Sequence, residues 1–155
     1  MAIHRLLDDF EETEFTLIAL HSHLEDYRLA YWLNKALNIR LSKAETIEIA
    51  AQKVFENFEW LNEQEDVMWN LVANTTYIQK KRRKAVFSLF EAEEQPVKGY
   101  LIPEMKKVDY FLKIDTEEMY LNISDITSKI QQIPNIITTY KVAANQLKSK
   151  TNLIF

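Results

Sequence analysis

Two histidines one residue apart, His21 and His23, open the stretch HSHLEDYRLAYWLN (His21–Asn34), with Glu25 and Asp26 close behind. An H-x-H pair beside a carboxylate is a set that can hold zinc, since imidazole nitrogen and carboxylate oxygen are both zinc ligands. A plainer reading competes. Ser22 followed three residues later by Glu25 is a capping-box pattern, in which the two side chains satisfy the free N–H groups that begin a helix. It would put His23 at the first helical position, directed away from His21, and the one remaining histidine is His4 near the start. His21 and His23 are therefore weak metal candidates, and the expectation is no metal and no cofactor.

Three further groups carry chemistry. Tyr27, Arg28 and Tyr31 fall on the same expected helix, with the tyrosines four residues apart on one side. They would either pack internally, with Arg28 bridged to a carboxylate such as Asp109, or anchor a carboxylate, a phosphate or a partner protein. Tyrosine and arginine are the residues that dominate interface hot spots. Glu104 and Asp109 could act as acid and base if the fold brought them together with a nucleophile, and would otherwise cap or pair internally. The run KKRRK (Lys80, Lys81, Arg82, Arg83, Lys84) makes a local positive field suited to RNA phosphates or acidic proteins. Glu91, Glu93 and Glu94 follow closely and balance it, and Tyr77 is not accompanied by an RNA-binding aromatic motif.

The elements that must position these groups follow from composition and periodicity. A chain of 155 residues, 47% hydrophobic and 12% aromatic, fits one domain with an ample core. Its net charge of −4 does not suit a surface built wholly for nucleic acid. The single glycine, Gly99, excludes glycine-rich phosphate loops, and the absence of cysteine removes thiolate chemistry and cysteine-bound zinc. The start lacks a signal-peptide pattern and no run is long enough to span a bilayer, so a cytoplasmic protein without membrane contact is expected.

The apolar run EFTLIAL (14–20) predicts a buried strand, and Leu29, Leu33, Ala36 and Leu37 predict a helix over 24–37. NIRLSKAETIEIAAQ reads as extended. Val54, Phe58 and Trp60 on one face, LNEQED as a turn, then Val67, Trp69, Leu71 and Ala73, predict a hairpin. AVFSLF and GYLI add short strands, the second stopped by Pro103. VDYFLKI reads as a strand with Val108, Tyr110, Leu112 and Ile114 on one face. ISDITSKIQQI reads as a helix broken by Pro134, and NIITTYKV as a last strand.

The sum is a single α+β domain over 1–155. It has two layers, a mainly antiparallel sheet with two main helices packed on one face, in an elaborated ferredoxin-like arrangement. Residues 1–13 are expected to be a mobile lead-in and 144–155 a docked C-terminal tail. That tail ends in Leu153, Ile154 and Phe155, apolar groups that need cover from the chain's own sheet or from a partner.

At IPEMKKVDY the residues Ile102, Pro103, Glu104, Val108, Asp109 and Tyr110 resemble the bacterial family named for its IPExxxVDY motif. HSHLEDYRLAYWLN and LKSKTNLIF extend the resemblance over nearly the whole chain. A histidine at the place of His21 is usual in that family's front motif and a second at His23 is not. The resemblance implies a bacterial cytoplasmic setting and carries no activity, cofactor or catalytic residue.

The leading expectation is a non-catalytic protein-binding or regulatory module that uses Tyr27, Arg28, Tyr31, Glu104, Asp109 and Tyr110, with a protein partner and room for homo-oligomers. One alternative is an RNA-binding accessory protein acting through 80–84. A second is a small hydrolase-like or metal-dependent enzyme built on His21, His23 and nearby carboxylates.

Overall fold

The computed structural model describes residues 15–50, 53–78, 97–117 and 121–155. The lead-in 1–13, His4, the strand expected at AVFSLF and the basic run Lys80–Lys84 lie outside the described residues.

In chain order the strands are β1 (Phe15–Ser22), β2 (Ser42–Lys43), β3 (Ile47–Ile49), β4 (Lys53–Phe55), β5 (Asn57–Asn62), β6 (Val67–Ala73), β7 (Thr75–Ile78), β8 (Val97–Tyr100), β9 (Tyr110–Thr116) and β10 (Ile136–Val142). Two α-helices, α1 (Asp26–Leu37) and α2 (Ile123–Gln131), follow β1 and β9. The main sheet is antiparallel in the order β10-β1-β9-β6-β5-β2, with separate ladders β3-β4 and β7-β8. The path β1-α1-β6-β9-α2-β10 takes the spatial order β10-β1-β9-β6, the split β-α-β arrangement expected of a ferredoxin-like sandwich. Strands β5 and β2 extend it on one side.

The run Leu17–Leu20 is apolar at every position because β1 is covered on both faces, and all four of its side chains are fully buried. One face of the sheet presents Ile18, Leu20, Leu71, Leu112 and Ile114 to Leu29 and Leu33 of α1 and Ile126 and Ile130 of α2. The other presents Leu17, Ala19, Val72 and Phe111 to Phe55, Leu101, Ile102, Val108 and Leu153. This second cover, made of short ladders, turns and the tail, has no counterpart in the helical and strand periodicities of the sequence.

Several local expectations change. Helix α1 begins at Asp26, and its N-cap is Glu25, which makes no side-chain capping bond. The Ser22 hydroxyl instead accepts from Leu24 N–H at 3.1 Å and donates to Asn135 C=O at 2.8 Å, so it ties the β1–α1 corner to the start of β10. The capping-box reading fails because β1 runs through Ser22, leaving His23, Leu24 and Glu25 as a corner. The helix ends as its sequence allows: Asn38 takes the left-handed conformation at φ 54° and its N–H bonds Asn34 C=O.

Val54 does not share a face with Phe58 and Trp60. Strand β4 pairs with β3 in its own ladder, Val54 is 40% exposed and Phe55 is the buried residue. Val108 likewise leaves the face of Tyr110, Leu112 and Ile114. Pro103 opens a 3-10 turn over 103–105, Val108 N–H bonds Met105 C=O, and the β alternation starts only at Tyr110. No helix among the described residues is long and apolar enough to cross a membrane.

Candidate functional site

Helix α1 has two chemically distinct sides. Leu29, Ala30 and Leu33 are buried, while Tyr27 and Tyr31 are 55% and 58% exposed on the outer side. The Arg28 guanidinium lies 5.9 Å from the Tyr27 ring centroid, and Tyr27, then Glu25, favour its charged form further. One turn on, Lys35 stands 5.7 Å over Trp32, and Trp32 meets Tyr31 edge-on at 5.5 Å between centroids. Tyr27, Arg28, Tyr31 and Lys35 thus form one outward stripe, bordered by Trp32, which is half-buried against the core, and cations lie near its aromatic faces. Trp32 and Lys35 are additions to the residues expected. Their signal was the same four-residue spacing, Arg28 to Trp32 and Tyr31 to Lys35.

The IPExxxVDY residues behave differently, since each polar side chain is engaged with backbone. Asp109 Oδ2 accepts the Ser22 N–H at 2.9 Å, and the Tyr110 hydroxyl donates to Leu24 C=O at 2.7 Å. Both therefore hold the corner from which α1 departs. Glu104, in the 3-10 turn 103–105, accepts the Ser149 N–H at 3.0 Å and so fastens the tail on the sheet face opposite α1. Partial desolvation opposes its ionisation, but hydrogen bonds from Ser149, its own backbone and Lys148 outweigh that and hold it below the usual carboxylate range. Of the six expected binding residues, three form the exposed stripe, Asp109 and Tyr110 support its base, and Glu104 stands apart. Arg28 is not bridged to Asp109.

What positions the whole motif is Asn74, which sequence reasoning missed. Its amide donates to Met105 C=O at 2.9 Å and Val108 C=O at 2.8 Å, and its Oδ1 accepts Ile102 N–H at 2.9 Å, all in a fully buried position. Its backbone also bonds Asp109 C=O and Leu101 N–H. An asparagine between two strands, in the stretch ANTT, was the available signal.

The histidines part company. His21 Nε2 lies 2.9 Å from the Tyr140 hydroxyl, with the rings 5.5 Å apart, whereas His23 is an exposed corner residue before α1 and not its first helical residue. Among the described residues no three His, Cys, Asp or Glu side chains are grouped to hold a metal ion.

Burial, and then the charges of Asp26, Asp109 and Glu25, push the Tyr110 hydroxyl up to about 12. An unfolded tyrosine ionises near about 10, so the neutral, bonded form stabilises the fold fully below that pH. The contribution is lost as pH rises through about 12. Tyr110→Phe should cost about 1 kcal/mol at neutral pH and flatten the fall in stability between pH 10 and 12, as read by denaturant titration at each pH. An unchanged alkaline slope in the variant would reject this assignment.

Comparison of the chain with models of known families and with curated proteins finds no match.

Proposed function

We propose that this protein is a non-catalytic module that binds another protein through the outer stripe of α1, as a bacterial cytoplasmic member of the IPExxxVDY family. The observation that carries the reading is the pairing of exposed Tyr27 and Tyr31 with an exposed Arg28 on a helix whose inner side is fully buried. Rigid aromatic area and a guanidinium fork are what interface anchors are made of, and a packed helix holds their backbone in place, which lowers the ordering cost of binding. The fork suits a partner that presents a carboxylate beside an apolar surface. The motif carboxylates favour support over catalysis, because each holds a backbone N–H group, Asp109 that of Ser22 at the end of β1 and Glu104 that of Ser149 in the tail. RNA binding through Lys80–Lys84 is carried as the rival outcome of the test.

The test is site-specific photo-crosslinking in native cytoplasm, with the crosslinker in place of Tyr31 or, as a control, Ile137 on β10. A protein adduct specific to position 31 and resistant to nuclease is expected. The purified partner should then bind the Arg28→Ala and Tyr27→Ala variants about 30-fold more weakly, roughly 2 kcal/mol per anchor, with melting temperature unchanged. Adducts that vanish with nuclease would replace this reading with RNA binding. Equal adducts at both positions would refute a dedicated stripe.

A further inference from the structure

Lys113 is the one charged side chain among the described residues that is buried, 4% exposed in the middle of β9. Its register neighbours are Leu17 of β1 and Asn70 of β6, so it stands on the sheet face that the tail covers. Asp115 lies 3.4 Å from its ammonium. Aromatic rings flank it: the Phe15 centroid is 4.9 Å away and the Phe155 centroid 4.3 Å away. An ammonium removed from water needs such partners, and one of them is supplied by the last residue of the sequence.

The tail reaches Lys113 by side chains rather than by extending the sheet. Ser149 N–H is held by Glu104, and Asn152 Nδ2 donates to Leu101 C=O at 2.9 Å. Leu153 is fully buried, Ile154 is 67% exposed, and the Phe155 ring, itself 46% exposed, lies over Lys113 from the outside. The segment Lys150–Leu153 is a 3-10 turn, so it is held by side-chain anchors, a leucine in the core, an asparagine on a carbonyl and a ring on a cation, and not by strand alternation.

We infer that the groove formed by Leu101, Glu104 and Lys113 is a peptide-recognition site for segments of the pattern Asn-Leu-x-Phe, occupied in this structure by the chain's own tail. The tail is then a tethered competitor. At the millimolar effective concentration typical of a short tether, it excludes a free peptide of equal intrinsic affinity unless it is released. The occupant that replaces it presents the same three anchors: an amide for Leu101 C=O, a leucine for the apolar floor and an aromatic ring for the Lys113 ammonium. This site is separate from the α1 stripe and does not rest on it.

The experiment uses the full chain and a fluorescein-labelled peptide of sequence LKSKTNLIF, followed by anisotropy. Leu153→Asp should release the chain's own tail, and that variant should bind the peptide at least tenfold more tightly than the unaltered chain. Replacing the peptide's phenylalanine by alanine, or adding Lys113→Met to the released chain, should each weaken binding at least tenfold. A released chain that still melts cooperatively but does not bind, or that binds indifferently to both changes, overturns the proposal. If Leu153→Asp melts non-cooperatively, a chain carrying Asn152→Ala, Leu153→Ala and Phe155→Ala loosens the tail without burying a charge and is read by the same two outcomes.

Discussion

Replacing Asn74 by alanine should lower the stability of the protein by about 3–5 kcal/mol, although the residue touches no exposed surface. The substitution leaves Ile102 N–H and the carbonyls of Met105 and Val108 without the side chain that pairs them, at a position where Asn74 is fully buried. A buried polar group left without its partner costs about 1–3 kcal/mol, more than an average hydrogen bond contributes. For a chain of this length the melting temperature should fall by on the order of 10 °C. Asn74→Asp is the sharper control, because it keeps the size, removes both donors and sets a negative charge against two carbonyl oxygens. It should be no more stable than the alanine variant in urea titration. A loss below about 1 kcal/mol for both would mean that the 101–109 segment is held by packing instead.

The second large effect is expected at Phe55, and its neighbour supplies the contrast. Phe55→Ala removes a fully buried ring from the cover of the second sheet face and should cost about 3–5 kcal/mol. Val54→Ala, one residue earlier but pointing to solvent, should stay within about 0.5 kcal/mol. Equilibrium unfolding of the two variants side by side checks the register of β4 directly. Comparable losses at both positions would contradict it.

Those two residues also mark the limit of what periodicity could reveal. Reading Val54 with Phe58 and Trp60 assumed one unbroken strand, and the alternation was correct for Phe58, Trp60, Trp69 and Leu71, which do share a face. It failed at Val54 because β4 and β5 belong to different ladders, a break that no proline or glycine announces. Helices α1 and α2 were legible from their stripes, and β1 from its unbroken apolar run. The short ladders and the 3-10 turn of the second cover were not, since elements of about three residues have no period of their own. The candidate site was legible in part for a related reason. Tyr27, Arg28 and Tyr31 are neighbours in sequence and on a helix, whereas the separation of Glu104 from Asp109 depends on a turn between them. The role of Asn74 depends on contacts about thirty residues away along the chain.

Strand β1 sits between β9 and β10, the last two strands of the main sheet to be synthesised. A ribosome making this protein therefore extrudes an apolar strand, Leu17–Leu20, long before either of its neighbours exists. Local hairpins such as β5–β6 can close during translation, but β1 cannot pair on one side until residue 116 has emerged, nor on the other until residue 142. The nascent chain passes through a prolonged interval in which both edges of β1 are open to foreign strands. Its yield in a cell should accordingly depend more on elongation rate and chaperone supply than the stability of the finished fold alone would indicate.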